Sequence, residues 1–235
     1  MAEPARRGNL QETIDSVSSR LKHIRFRRRA KDIPMKLRFS ATSPYVRKCM
    51  IVALETGLAE RIEMVPTNAW APDTDLPRDN PLSKVPALIT TGGEALFDSP
   101  VICEYLDSLH DGHRLVPESG GARWTQMRLE ALADGILDAA LAKRVETTMR
   151  PEDKRWPYWI ERQDSAIARG LDALEEECAG WGDDFLIGQI TVVAALGYLD
   201  FRFAAEDWRN SRPRLTAWQA KTAKRPSVAQ TEPKG

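Results

Sequence analysis

The stretch from Asn80 to Tyr105 constrains the fold of this chain more than any other part of its sequence. Lys84-Val85-Pro86 leads into a short apolar run, Ala87–Ile89, and a second apolar run, Ala95–Phe97, follows Gly92-Gly93. Two apolar runs joined through a glycine pair are typical of a β-hairpin, because glycine adopts the left-handed conformations that tight turns need. The sequence therefore predicts an antiparallel strand pair whose first strand opens at a proline.

Asp98-Ser99-Pro100 comes directly after the predicted hairpin, and an amphipathic segment follows it. Ser99 is a favourable N-cap residue, and Pro100 suits the first helical position, where its missing N–H leaves no hydrogen bond unmade. We therefore expect a helix from Pro100 to about Leu109, with the opening strand and the helix start close together. A carboxylate, a hydroxyl and a strand edge in one place could hold a small charged peptide.

Composition narrows the classes of protein that the chain can represent. With 235 residues, of which 42% are hydrophobic and 29% charged, it resembles an ordinary globular protein of one or two domains. Its 34 lysines and arginines balance 34 acidic residues, so no bulk charge argues for nucleic acid or an anionic membrane as partner. No apolar run approaches the ~20 residues that span a bilayer, and no secretory signal opens the chain. Three widely spaced cysteines, Cys49, Cys103 and Cys178, form neither a metal-ligand pattern nor a disulfide framework, which indicates a reducing cytoplasm.

Residues 1–34 differ from the rest of the chain. They contain the basic run Arg25–Lys31 and few large apolar residues. A nucleic-acid-binding arm and an organellar address are alternative interpretations of such a run. Basic runs are weak signals, however, and Glu3, Glu12 and Asp15 argue against a transit peptide. We interpret residues 1–34 as a flexible or weakly helical extension.

From Met35 onward the pattern alternates between strands and helices. Lys36–Phe39 alternates polar and apolar residues, which predicts a half-buried strand. Apolar residues recur at helical spacing from Pro44 to about Gly57, and Arg61–Val65 alternates again. With the hairpin and its helix, the order is strand, helix, strand, loop, strand, strand, helix. The crossover makes the first two strands parallel and the hairpin makes the last two antiparallel, so we expect a small mixed sheet with helices on its faces.

The second half of the sequence is predicted to be helical throughout. Apolar residues recur at steps of three and four from Leu129 to Leu141 and mark another helix from Ile160 to Cys178, while Ile190–Phe203 is apolar nearly all round. A helix of this last kind is expected at the centre of a bundle. The predicted fold class is therefore α/β plus all-α. Its predicted parts are an α/β domain at residues 35–112, a linker at 113–120 and an all-helical domain at 121–235.

Four motifs strengthen this reading through their order and spacing. They are Thr42–Lys48, Asn80–Leu88, Leu96–Ser99 with Ile102 and Tyr105-Leu106, and Arg212–Leu215 with Trp218 and Arg225–Ser227. Together they resemble the cytosolic glutathione S-transferase superfamily, in which a thioredoxin-like domain (βαβ-ββα) precedes a helical bundle. Within it, the chain is most similar to bacterial members whose first helix starts Ser-Pro-Tyr or Ser-Pro-Phe, here Ser43-Pro44-Tyr45.

The resemblance implies a glutathione-binding site. In the family the bond matching Val85-Pro86 is cis, and the residue matching Val85 pairs through its backbone with the cysteinyl part of glutathione. The acidic residue and the serine that hold the γ-glutamyl end match Asp98 and Ser99. Backbone N–H groups and a hydroxyl at a helix start suit a carboxylate, while Asp98 suits an ammonium. Lys84 is expected either to reach the glycine carboxylate or to be a solvated loop charge.

Ser43 is the candidate catalytic residue. It matches the position at which several transferase classes carry a catalytic serine or cysteine. A hydroxyl there could donate a hydrogen bond to the glutathione sulfur and favour its thiolate, the attacking species. The alternative is that Ser43 only caps the helix that begins at Pro44, in which case Thr42 is the neighbouring candidate for the catalytic role. Because Ser43 is not a cysteine, disulfide exchange through this position is disfavoured, and Cys49 is expected in the core.

In the helical domain, the predicted cap of the central helix departs from the family pattern, and the residues of the electrophile pocket are not fixed by the sequence. Thr191 is expected at the start of the central helix, as in many family members, but Ala194 stands where they carry an aspartate, so the reciprocal cap lacks its acid. The electrophile pocket is expected in the first half of the helical domain. Trp124, Arg128 and Arg144 are candidates to line it.

Two functions follow from the resemblance. The first is an enzyme that binds glutathione and promotes attack of its thiolate on a small electrophile. The second is a glutathione-binding or interaction protein of the same fold with little or no transferase activity. The resemblance also implies glutathione as substrate rather than cofactor, and a homodimer. Cysteine usage, the charge balance and the lack of long apolar runs predict no metal site and a cytoplasmic location without nucleic-acid or membrane partners.

Overall fold

The computed structural model describes residues 34–233, so the predicted extension lies outside the described residues apart from Pro34. Four strands form one mixed sheet in the order β2-β1-β3-β4. β1 is parallel to β2 and antiparallel to β3, and β3 is antiparallel to β4, as the crossover and the hairpin predict. The strands are β1 (Met35–Phe39), β2 (Ile62–Pro66), β3 (Ala87–Ile89) and β4 (Ala95–Leu96).

Helices account for most of the remaining described chain. In residues 34–233, no helix has both the length and the apolar content needed to cross a membrane. A π-helical turn, Val145–Met149, extends the third helix. The α-helices are α1 (Pro44–Glu55), α2 (Ser99–Asp107), α3 (Gly120–Arg144), α4 (Pro157–Glu177), α5 (Ile187–Arg202), α6 (Pro213–Thr222) and α7 (Pro226–Gln230). Short 3₁₀ turns occur at Ala59–Arg61, Leu76–Arg78, Glu152–Lys154 and Cys178–Gly180.

Helix α1 begins and ends where local chemistry predicts. Ser43 is its N-cap, because its Oγ accepts a hydrogen bond from the backbone N of Val46 at 3.3 Å, and Pro44 opens the helix. Gly57 follows the last turn with φ at 70°, a left-handed conformation that glycine adopts without steric cost. Cys49 is fully buried within this helix, as expected.

The start of α2 lies one residue earlier than predicted. Asp98, not Ser99, occupies the N-cap position, because the carbonyl oxygen of Asp98 accepts the first helical hydrogen bond, from the backbone N of Ile102 at 3.0 Å. Ser99 is therefore the first helical residue and Pro100 the second. Pro100 still fits, since the N–H groups of the first turn have no partner within the helix.

The expected cap of the central helix was wrong. Helix α5 begins four residues before Thr191, whose buried hydroxyl donates to the carbonyl oxygen of Ile187 at 2.8 Å inside the helix. Two glutamines supply the acceptors at the true start. Gln126 Oε1 accepts from the backbone N of Gly188 at 3.0 Å, and Gln189 Oε1 accepts from the N–H that precedes the helix. The capping role expected of the missing aspartate is thus taken by Gln126 of α3 and Gln189 of α5.

The apolar core is continuous between the sheet and the helical part. Residues of β1, β3, α1 and α2 form one buried cluster that also includes members of α5 and α7, among them Ile187, Ile190, Val193 and Val228. A second buried cluster joins α3, α4, α5 and α6. Helix α5 belongs to both clusters, which agrees with the prediction that it is the central buried helix.

Arg47 links α1 to the helical part by a polar route. Its side chain is 6% exposed and donates to the carbonyl oxygens of Val193 (3.4 Å) and Val228 (3.3 Å) and to Thr231 Oγ1 (3.5 Å). A Cβ atom built at Gly197 would lie 1.9 Å from Nη1 of Arg47. Glycine at 197 is therefore what leaves room for the guanidinium beside α5.

Lys48 forms the most deeply buried ionic contact between α1 and α3. Its Nζ lies 2.7 Å from Asp134 Oδ2 and 3.1 Å from Glu130 Oε1, and its side chain is fully buried. Burial lowers the pKa of the ammonium, but the two neighbouring carboxylates outweigh that effect and hold the pKa above its ordinary value. Lys48 is therefore charged in the folded protein at neutral pH.

Lys48→Met is expected to destabilise the protein by about 3 kcal/mol, because it leaves two largely buried carboxylates without their cation. Urea unfolding at neutral pH measures the change. Lys36→Met is the matched control, since it removes only an exposed ion pair with Glu63 at 3.8 Å and should cost less than about 1 kcal/mol. Equal losses in the two variants would contradict the importance of the buried contact.

Candidate functional site

Sheet register places Ser43 and Val85 at the same edge of the sheet. Strand β1 ends at Phe39, and the turn that follows it contains Ser43. The next-to-last residue of β1, Arg38, is opposite Ala87, the first residue of β3. Because these strands are antiparallel, the end of β1 meets the beginning of β3, and Val85 lies just before that beginning.

The same register brings Asp98 and Ser99 to this edge. Leu96, the last residue of β4, is opposite Leu88 in β3, and these strands are also antiparallel. Continuing beyond Leu96, the chain runs back toward the start of β3 and reaches Asp98 and Ser99 beside Val85. The segments that the sequence analysis identified separately therefore converge.

The loop before β3 is held in one conformation by Asn80. This side chain is 2% exposed; its Nδ2 donates to the carbonyl oxygen of Lys84 at 2.8 Å, and its Oδ1 accepts from the backbone N of Leu82 at 3.0 Å. The Val85–Pro86 peptide bond that follows is cis, as the resemblance predicts. Lys84 is exposed, which fits both interpretations of its role.

The start of α2 carries groups that attract ligand groups of opposite charge. Ser99 is 1% exposed, whereas Asp98 is exposed and its side chain does not cap the helix. The first N–H groups of a helix carry partial positive charge and attract a carboxylate, while a free carboxylate such as that of Asp98 attracts an ammonium. A ligand with both groups on one carbon, as in an α-amino acid, suits this position.

Ser43 caps helix α1, and its hydroxyl proton remains available to donate a second hydrogen bond. Its Oγ is the acceptor in the hydrogen bond from the backbone N of Val46. A hydroxyl has one proton to donate and two lone pairs to accept, so capping does not use the donor. The geometry is therefore compatible with both interpretations of Ser43.

Sequence reasoning missed the acidic face of α3 that packs beside α1. Glu130, Asp134 and Asp138 follow one another at four-residue spacing, a signal that places them on one helix face. Lys48 binds the first two, and the hydroxyl of Tyr45 donates to Asp138. Burial first, and then the hydrogen bond to Asp138, raise the pKa of Tyr45, which is therefore a neutral phenol. These contacts hold α3 against the first turns of α1, next to Ser43.

The three candidates for the electrophile pocket differ in environment. Trp124 is 67% exposed, and Arg128 forms an ion pair with Glu177 at 2.5 Å. Arg144 is half-buried at the end of α3. Two pockets of about 220 Å³ each lie among the helices, and neither includes Ser43, so they are separate from the converging segments.

Comparison with known proteins identifies the family. Residues 42–109 match the family model of the glutathione S-transferase N-terminal domain, and residues 157–219 match that of the C-terminal domain. The chain is 38% identical over 203 residues to the uncharacterized GST-like protein YibF of Escherichia coli (strain K12), covering 85% of this chain and 98% of that protein. The chain therefore belongs to the glutathione S-transferase family.

Solved structures agree with this assignment. A glutathione transferase family member from Pseudomonas fluorescens Pf-5, with bound glutathione, has a TM-score of 0.82 and 43% identity, covering 86% of this chain and all of that one. A family member from the same organism with bound S-(propanoic acid)-glutathione has a TM-score of 0.79 and 41% identity, with 86% and 100% coverage. The predicted superfamily and fold class are confirmed, and the Ser-Pro-Tyr subtype stays a prediction.

Ser43→Ala is expected to lower the free energy of unfolding by about 1 kcal/mol, because it removes the acceptor for an N–H of the first turn of α1. Ser43→Asn keeps a side-chain acceptor and should cost only a few tenths of a kcal/mol, since Asn caps helices as well as Ser does. Urea denaturation of both variants measures the difference. Equal destabilisation by the two substitutions would contradict the capping role.

Proposed function

We propose that this protein binds glutathione and promotes attack of its thiolate on a small electrophile. The observation that carries the proposal is the convergence of Ser43, Val85 and the start of α2 at one sheet edge. Glutathione is bound in structures of relatives that are 43% and 38% identical to this chain, which supports the choice of ligand. In this assignment glutathione is a substrate and no metal takes part.

Each part of glutathione has a proposed partner. The backbone of Val85 pairs with the cysteinyl residue, next to Pro86. Asp98 binds the γ-glutamyl ammonium, while the hydroxyl of Ser99 and the N–H groups at the start of α2 bind the γ-glutamyl α-carboxylate. Lys84, exposed in the loop before Val85, binds the glycine carboxylate.

The proposed chemistry begins with ionisation of the thiol. The Ser43 hydroxyl donates a hydrogen bond to the sulfur and stabilises the thiolate relative to the thiol, whose proton passes to solvent. The thiolate sulfur then forms a bond to the electrophilic carbon. The bond from that carbon to its leaving group breaks, and the leaving group departs with the electron pair. A family member with bound S-(propanoic acid)-glutathione supports a site that accommodates a substituent on the sulfur.

The second candidate is a glutathione-binding or interaction protein of the same fold with little or no transferase activity. The observation that favours it is the capping bond of Ser43, which accounts for this residue without any catalysis. Both candidate functions require the same binding contacts to glutathione. They differ only in what Ser43 does to the sulfur.

We also propose the domain boundaries, the oligomeric state and the cellular location of the protein. The α/β domain at 35–112, the linker at 113–120 and the helical domain at 121–235 are the proposed division of the chain. A homodimer is supported by apolar residues exposed on α2 and α3, Val101 at 47% and Met127 at 37%. The proposed location is the cytoplasm, which the cysteine usage of the chain supports.

Asp98→Asn is expected to weaken glutathione binding about tenfold, because a charge-assisted hydrogen bond to the ammonium is lost. Isothermal titration calorimetry measures the dissociation constant. Asp111→Asn, at another exposed aspartate away from this edge, is the matched control and should leave affinity unchanged. Unchanged affinity in Asp98→Asn would remove Asp98 from the site, and no binding by the wild type would overturn both candidate functions.

Ser43→Ala is expected to lower the turnover of 1-chloro-2,4-dinitrobenzene roughly tenfold or more near pH 6.5, because it removes the hydroxyl that donates to the sulfur, while glutathione affinity is retained. The loss should shrink near pH 9, where a free thiol ionises without help. The lost helix cap lowers stability at both pH values, so a loss of turnover that shrinks at the higher pH separates catalysis from stability. Wild-type binding without turnover would favour the second candidate, and equal turnover by both proteins would remove Ser43 from the chemistry.

A further inference from the structure

Two of the three cysteines meet in the core between α1 and α2. Cys49 of α1 and Cys103 of α2 are free, fully buried thiols, and their Sγ atoms lie 3.9 Å apart. Cys178, the remaining cysteine, belongs to the other buried cluster. The fold therefore brings together two thiols that are 54 positions apart in the sequence. We refer to Cys49 and Cys103 as the thiol pair.

The thiol pair is near the separation at which a disulfide forms. A disulfide bond is about 2.05 Å long, so each sulfur has to move by roughly 1 Å. Burial raises the pKa of the Cys103 thiol, so the pair resists oxidation while α2 is closed over it. Disulfides of cytoplasmic proteins, where they occur, are usually transient and respond to oxidants.

The thiol pair is linked to the proposed glutathione site through Ser99. The Cys49 thiol donates to the carbonyl oxygen of Ser99 at 4.0 Å, a long hydrogen bond of the kind that sulfur makes. Cys103 is four residues beyond Ser99 and so lies one turn further along the same face of α2. A disulfide would remove the proton that Cys49 donates and would draw α2 toward α1. The first turn of α2 would then change position.

We propose that the thiol pair is a redox modification site, which hydrogen peroxide oxidises to a reversible disulfide that weakens glutathione binding. The effect on glutathione rests on the proposed function, whereas formation of the disulfide does not. Helix α2 is nine residues long and carries the exposed Glu104 on its outer face, so local opening of this short helix is the route for the oxidant.

The oxidation balances with peroxide as the electron acceptor. One sulfur loses its proton and attacks a peroxide oxygen; the O–O bond breaks, a sulfenic acid forms, and the departing hydroxide takes up a proton to leave as water. The second sulfur then attacks the sulfenic sulfur, and the S–O bond breaks. The hydroxide released takes the proton of the second thiol. Two thiols thus give one disulfide, and one peroxide gives two waters.

The first experiment counts thiols by intact mass. Protein treated with hydrogen peroxide is quenched with catalase, denatured and labelled with N-ethylmaleimide. We expect one label on the wild type, at Cys178, and three labels when dithiothreitol precedes labelling. Cys103→Ala should keep two labels after peroxide, and Cys178→Ala, the matched control, should keep none. If Cys103→Ala does not fold, Cys49→Ala gives the same comparison.

The second experiment measures affinity by calorimetry with S-methylglutathione, which has no thiol and cannot reduce the disulfide. We expect oxidised wild type to bind this ligand about tenfold more weakly than reduced wild type. Cys103→Ala treated with peroxide should keep the affinity of reduced wild type.

Three labels on peroxide-treated wild type, or a disulfide that includes Cys178, would overturn the inference. Equal affinity of oxidised and reduced wild type would also overturn it, because the disulfide would then have no effect at the site. Failure of glutathione and S-methylglutathione to bind reduced wild type would overturn the proposed function instead, while the thiol count would still test the disulfide.

Discussion

The contact between Lys48 and two carboxylates of α3 is the constraint on which the arrangement of this molecule depends. Transferring an ammonium and carboxylates out of water costs several kcal/mol per ion, and this cost is offset only when the geometry is good. An apolar interface tolerates sliding, whereas a fully buried ammonium 2.7 Å from one carboxylate and 3.1 Å from another does not. Helix α1 therefore has one position against α3. The turn that contains Ser43, at the start of α1, is therefore also fixed relative to α3.

The candidate site is built mainly from backbone. Its convergence comes from strand register, its loop is held by the amide of Asn80, and the groups proposed to bind a carboxylate are N–H groups at the start of α2. Such a site is rigid because moving it would break sheet hydrogen bonds. In the proposed function, the second substrate is left to side chains of the helical part, which can differ between relatives without changing the backbone groups proposed to bind glutathione.

Features that depend on local sequence patterns were predicted correctly, whereas contacts between distant segments were not predicted. The hairpin, the mixed sheet and the buried central helix follow from periodicity and glycine placement, which act within a few residues. Thr191 was wrongly expected to start that helix because the actual acceptor, Gln126, comes from α3. Lys48 was missed because a lysine on an amphipathic helix normally reads as solvated.

The guanidinium of Arg47 beside Gly197 has a consequence for how such chains evolve. A thioredoxin-like half and a helical half look like modules that recombination could exchange. Here, however, the arginine belongs to one half and the space that admits it belongs to the other, with 1.9 Å between Nη1 and a Cβ that any other residue would add. A recombinant that carried the arginine without the glycine would have to move the buried guanidinium away from the carbonyl oxygens of Val193 and Val228. In this chain the two halves are therefore matched to each other at this contact.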